Sequence, residues 1–173
     1  YLMHWPNPDT YVECWHQMEQ LYREGNIRAI GVSNFHAHHI DNLLKTAKVT
    51  PSVNQIELHP LLSQSKLIEF CRSLGIQVQA YSPVARMHDR LITNDNLIVI
   101  ARQLGKTIPQ IILRCDFQRK IGTVPKSGNW KRLKDNIEIL DFELSSSQME
   151  VLDNMNINFR VRHDPDTCDF SQL

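Results

Sequence analysis

The chain has 173 residues, 42% hydrophobic and 22% charged, a balance that suits one folded domain and argues against disorder. Nineteen Lys and Arg are matched by nineteen Asp and Glu, so no basic surplus points to nucleic acid or an anionic membrane surface. The longest apolar run, from Asn96 to Ala101, stops at Arg102, well short of the ~20 residues a bilayer requires.

Tyr1-Leu2-Met3 reads as a strand, and the chain opens inside it without the charged and apolar regions of a leader; the expectation is a piece of something longer or a product of processing. Thr10 to Glu24 reads as a helix. Thr10 and Glu13 have the spacing of a capping box, Val12, Trp15, Met18 and Tyr22 share a face, and Gly25 supplies a stop. Arg28 to Ser33 is then a short buried strand. The alternation continues with a helix through Ile40, Leu43, Leu44 and Ala47, a strand from Ser52 to Glu57, a helix through Leu67, Ile68, Cys71 and Leu74, and a strand from Gln77 to Tyr81.

Two helices come next, Asn94 to Leu104 closed by Gly105, and Ile108 to Gln118 opened by Thr107 with Gln110 three residues on. The strand Gly122-Thr123-Val124 precedes helices around Lys131 to Ile139 and Ser146 to Asn154. Strands alternating with helices imply parallel pairing through right-handed crossovers. Five strands suit an open doubly wound sheet or most of an eight-stranded barrel, and periodicity alone leaves both open.

Cys14, Cys71, Cys115 and Cys168 are far apart, which predicts reduced thiols, a cytoplasmic setting, and neither a disulfide framework nor a structural zinc site. His36, His38 and His39 read as an exposed helix start and not as a metal site. Only His36 and His39 share a helical face, and no Asp, Glu or Cys is spaced to complete a site nearby. Gly105-Lys106-Thr107 lacks the upstream glycine of a phosphate loop, Ile100 standing in its place. Glu57 and His59 read as support for a strand end.

All five strand ends carry groups able to contact a ligand: His4-Trp5-Pro6, Ser33-Asn34-Phe35, Gln55 with Glu57 and His59, Tyr81-Ser82-Pro83, and Pro125-Lys126-Ser127. Taken singly, Trp5 and Tyr81 suit packing, and Lys126 and Arg132 suit a solvated basic face. Together with their neighbours they resemble the aldo-keto reductases, bacterial 2,5-diketo-gluconate reductase-like members among them. The motifs are Leu2-Met3-His4-Trp5-Pro6, Gly31-Val32-Ser33-Asn34-Phe35, Val53-Asn54-Gln55-Ile56-Glu57, Ala80-Tyr81-Ser82-Pro83, Val124-Pro125-Lys126-Ser127 and Asp141-Phe142-Glu143-Leu144-Ser145.

The resemblance implies a (β/α)8 TIM barrel, of which residues 1–173 would be the last five strands and their helices as one partial domain. It implies an NADP(H)-dependent oxidoreductase that reduces aldehydes or ketones. Ser33, Asn34 and Gln55 match residues that bind the nicotinamide carboxamide, and Tyr81, followed by Ser82, matches the aromatic that stacks on the nicotinamide ring. Lys126, Ser127 and Arg132 match the grip on the 2′-phosphate, and Asn136 an adenine contact; Asp135 stands where the family usually has Glu. His4 matches the catalytic histidine, with Trp5 beside the substrate. The Asp, Tyr and Lys that complete the family's catalytic set belong to segments before the His-Trp-Pro strand. The chain alone is therefore expected to be inactive, the alternative being a non-catalytic cofactor-binding remnant. The short rim around Ala85-Arg86-Met87-His88 suggests an open pocket for small dicarbonyl or sugar-derived carbonyl substrates. The remaining expectations are no nucleic acid, no membrane, and self-association through open barrel edges.

Overall fold

The computed structural model describes residues 1–172. Its elements run β1 (Leu2–Met3), α1 (Tyr11–Arg23), β2 (Gly31–Ser33), α2 (Ala37–Leu44), β3 (Val53–Glu57), α3 (Ser65–Ser73), β4 (Gln77–Tyr81), α4 (Asp89–Ile92), α5 (Asp95–Leu104), α6 (Ile108–Gln118), β5 (Gly122–Val124), α7 (Trp130–Ile137) and α8 (Ser146–Asp153). The strands hydrogen-bond in chain order, β1-β2-β3-β4-β5. A doubly wound sheet reverses its order at a switch point. Uninterrupted order is what a barrel wall requires, so the alternative left open by periodicity is removed.

Pairing of β1 with β2 and of β2 with β3 is parallel, placing Met3 opposite Val32 and Ser33 opposite Gln55. Gly31 is where this pairing is tightest. A methyl group there would stand 2.6 Å from the Val53 carbonyl and 2.7 Å from Leu2 Cδ2, so any side chain would displace backbone.

The chain divides into two compact units: residues 1–56 and 65–79 with the tail from Arg162, and residues 57–64 with 80–161. In the first, α1 buries Tyr11, Trp15 and Met18, while Tyr22 is 40% exposed, so the buried face is turned from the expected one toward Tyr11. The predicted Thr10–Glu13 capping box is absent. Asn7's carbonyl takes the Thr10 and Tyr11 amides, so Thr10 enters in a turn (ψ −16°) and not in the extended backbone that aims a capping side chain. What fixes α1 instead is Glu19, buried at 3% exposure, whose carboxylate accepts the Lys48 amide at 2.5 Å and the Val49 amide at 2.7 Å. Trp15 Nε1 donates to the Val49 carbonyl at 3.2 Å.

The core of the second unit gathers Leu61, Leu91, Leu97, Ile100, Ile111, Ile112, Leu144 and Leu152. The capping box of Thr107 and Gln110 forms as predicted at the start of α6. Gly105, at φ +62°, ends α5 in the left-handed conformation that a side chain would strain. Gln118 clamps the stretch before α8 by accepting the Leu144 amide and donating to its carbonyl, at 2.8 and 3.0 Å. Among the described residues no helix is long and apolar enough to cross a membrane.

Burial alone would raise the Glu19 carboxyl, but the two backbone amides and His16 outweigh it and hold the group below the ordinary carboxylate value. A folded-state pKa below the unfolded one stabilises the fold above the unfolded value of about 4.3, and that contribution is lost as pH falls through the folded pKa. Urea melts are therefore expected to find Glu19→Gln destabilised by roughly 1–3 kcal/mol at pH 7. The difference from the parent chain should shrink as the pH is lowered below 4; a constant difference across pH would remove the charge from the explanation.

Candidate functional site

The first unit assembles one polar cluster at the ends of β1, β2 and β3. Ser33 Oγ donates to the Gln55 carbonyl at 2.8 Å, and the Asn34 amide nitrogen of the backbone donates to the same oxygen at 2.9 Å. Asn34 Nδ2 reaches the His4 carbonyl at 3.0 Å and Ser33 Oγ at 3.2 Å. Gln55 Nε2 donates to Gln79 Oε1 at 2.6 Å. Parallel register explains the meeting: Ser33 lies opposite Gln55, so residues 22 apart share one level of the sheet.

Asn34 has φ +63°, in the left-handed region. Asn enters this region more readily than other side-chain-bearing residues. The turn directs its carboxamide back toward β1. Ser33 and Asn34 are buried, Gln55 and Trp5 are half-buried, and His4 is exposed, its ring centroid 5.7 Å from that of Trp5.

In the second unit, Tyr81 ends β4 half-buried, its carbonyl accepting the Leu58 amide at 3.3 Å. Ser82 follows at φ +49°, and Ala85, Arg86 and Met87 are all left-handed, so the short rim is a tight reversed turn. After β5, Ser127 Oγ accepts the Asn129 amide at 3.1 Å, and Asn129 caps α7 by accepting the Arg132 amide at 3.1 Å. Lys126 and Arg132 are exposed, Ser127 and Asn136 half-buried. Among the described residues neither Lys126 nor Arg132 has an acidic partner.

Glu57 and His59 form a buried hydrogen-bonded pair, Nε2 to Oε1 at 2.9 Å, both side chains fully enclosed. The Val161 amide also donates to Glu57 Oε1, at 2.6 Å. Burial pushes the Glu57 carboxyl up, but those two hydrogen bonds and the charges of His59 and Arg160 prevail and keep it below the ordinary range. An ionised carboxylate that ties a chain segment in place is a support, as the sequence reading expects.

The histidine run meets its expectation of exposure only at His38, 64% exposed; the side chains of His36 and His39 are at 18% and 13%. Burial, followed by the neighbouring His38, pushes the His39 ring down to about 4, which keeps it neutral. Asp166, 130 residues beyond His36, packs against all three rings. Sequence reasoning missed it because separation in the chain says nothing about the tail's return. An aspartate inside the turn-forming run Asp164-Pro165-Asp166 was the one available signal.

The comparisons with known proteins agree with this architecture. The sequence pattern of the Aldo/keto reductase family matches residues 1–157. The chain is 46% identical over 170 residues to the uncharacterized oxidoreductase YtbE of Bacillus subtilis, covering 98% of this chain and 60% of that protein. It is 46% identical over 166 residues to the glyoxal reductase of the same organism, covering 96% of this chain and 59% of that protein. The chain thus spans about three fifths of the length of these curated relatives. Among solved structures, apo Gox0644 superposes with a TM-score of 0.94 at 34% identity, over 98% of this chain and 63% of that one. The NADP complex of the Bombyx mori aldo-keto reductase AKR2E4 does so with 0.85 at 35%, over 96% and 60%. With a five-stranded wall in barrel order and a family match over nearly its whole length, this chain belongs to the aldo/keto reductase family and forms part of its (β/α)8 barrel.

Proposed function

We propose that the chain supplies most of the NADP(H) site of a reductase that converts small aldehydes and ketones to alcohols. The observation that carries the reading is the cluster of Ser33, Asn34 and Gln55 around the His4 carbonyl. It presents amide and hydroxyl groups of both polarities at a strand end, as a carboxamide requires. The unpaired cations of Lys126 and Arg132 beside the Ser127 hydroxyl suit a dianionic phosphate, for which a guanidinium offers paired donors. Tyr81 offers a half-buried ring face and Asn136 a half-buried amide on α7, for the nicotinamide and adenine ends respectively.

NADPH, when bound, supplies the hydride. Within the chain, Ser33, Asn34 and Gln55 orient the carboxamide, while the exposed imidazole of His4 polarises a substrate carbonyl next to Trp5. The similarity to a protein named glyoxal reductase, together with the short rim at Ala85–Met87, favours small dicarbonyls as substrates. The cytoplasm is the proposed compartment, all four cysteines being free thiols.

Three outcomes test this. In calorimetric titrations, Arg132→Ala should weaken NADPH binding by about 10- to 100-fold, from loss of a charge-assisted contact, and leave NADH almost unchanged. Equal loss for both cofactors would remove the phosphate role. The 173-residue chain alone is expected to show no NADPH oxidation with glyoxal, since His4 is the only member of the family's catalytic set assigned within it; turnover that vanishes in His4→Ala would overturn that expectation. With β1 and β5 at the ends of its strand order, the chain taken alone should also assemble through those edges. A monomer by light scattering would contradict this.

A further inference from the structure

The start of α2 and the tail converge in the first unit on a group of side chains that the reductase reading leaves unused. The tail turns back at Asp164, whose carbonyl accepts the Thr167 and Cys168 amides at 3.1 and 3.0 Å. The turn holds Asp166 over the histidines. Its Oδ2 lies 2.9 Å from His36 Nδ1, and its Oδ1 lies 3.3 Å from His38 Nε2 and 3.6 Å from His39 Nε2. The His38 and His39 rings are 3.9 Å apart at their centroids. One ligating atom from each of the four residues lies within 4.8 Å of all the others.

We propose that His36, His38, His39 and Asp166 form a binding site for one divalent transition-metal ion, with Zn2+ the best match. Tetrahedral zinc with bonds of about 2.0–2.1 Å holds its ligand atoms roughly 3.4 Å apart. The three carboxylate–imidazole distances already bracket that value, and an ion would draw together four ligand atoms that lie within 4.8 Å of one another. Three imidazoles and a carboxylate select zinc, copper or nickel over magnesium and calcium, which prefer all-oxygen sets. The residues also differ from an accidental cluster of exposed acids, since two of the rings are largely buried and held. His36 begins α2, and its amide donates to His39 Nδ1 at 3.1 Å.

That hydrogen bond sets a cost. In the neutral ring it leaves the His39 proton on Nε2; ligation through Nε2 moves this proton to Nδ1, and the amide contact is given up. The positive end of the α2 dipole also disfavours a cation. The Asp166 carboxylate, facing all three rings, opposes both effects. An ion held here joins residues 36–39 to the tail and closes a loop of more than a hundred residues. The site stands apart from the proposed cofactor role, because none of its four residues is assigned to NADP(H).

The test titrates the full chain, stripped with a chelator, with Zn2+ by calorimetry and with Co2+ by visible absorption. The expected result is one ion per chain with the intense visible bands of four-coordinate cobalt. His38→Gln and Asp166→Asn should each weaken Zn2+ by at least ~100-fold, since even outer-shell losses reach that size. His38 is mostly exposed, so its replacement should leave the metal-free melting temperature unchanged and isolate ligation from folding. Zn2+ should slow hydrogen exchange over residues 162–170 in the parent chain and not in His38→Gln. Failure to bind at micromolar Zn2+, or binding that survives both substitutions, overturns the proposal.

Discussion

The geometry of the first unit depends on how closely β2 lies to its neighbours, and Gly31 permits that approach. Its missing side chain leaves room for the Val53 carbonyl and the Leu2 side chain, and a methyl group would sit well inside contact distance of both. Because the strands are this close and in parallel register, Ser33 falls level with Gln55 and can bond its carbonyl. The next residue, Asn34, then turns left-handed and reaches the His4 carbonyl on the far side of β2. The absent side chain leaves room for the close pairing within which three strand ends share a hydrogen-bond network.

That network has an energetic logic of its own. Ser33 and Asn34 are buried polar residues, and buried polar groups left without partners are costly. The cluster answers this by using backbone carbonyls as the main acceptors, namely those of His4 and Gln55. A left-handed conformation in a residue with a side chain is itself unfavourable, and persists where the surroundings hold it. Asn34 is held from both sides, its backbone amide on Gln55 and its side chain on His4. Strain of this kind at a strand end fits a group kept in place for recognition.

Much of the fold was legible because its signals are local. Alternating apolar runs and helical faces located every strand and the long helices, and Thr107 with Gln110 marked the start of α6. The sequence misled where a local pattern competed with its surroundings. Thr10 and Glu13 have capping spacing, yet the Asn7 carbonyl took the amides and bent the entry to α1. Tyr22 has helical spacing from Trp15 and Met18, but Tyr11 holds the buried side of the helix. Nothing local marks Glu19 for burial, because its two amide partners lie about thirty residues away. The strand-end motifs were legible as a set, because they fall at the same point of successive strand–helix units. The pairing of Asp166 with the histidines was not, since it depends on the path of a tail without periodic pattern.

That path follows from polar anchoring within each unit. In the second unit, the stretch after α8 gives its Val161 amide to the buried Glu57 and its Ile157 and Phe159 amides to the Leu61 carbonyl, while its Asn156 side-chain oxygen accepts the Ser63 amide. In the first, the tail is held at Asp166 on the three histidines. The two anchors differ in kind. Glu57 is enclosed, ionised and already bonded at Oε1 by both the Val161 amide and His59. Asp166 is 44% exposed and faces nitrogen atoms that can turn from donors to ligands by a change of tautomer. A carboxylate that bonds several imidazoles near a helix start holds a tail weakly in water, because each contact competes with solvent. Replacing those contacts by one ion converts several weak bonds into a single strong constraint, and this is why the proposed metal site lies at the tail and not at Glu57.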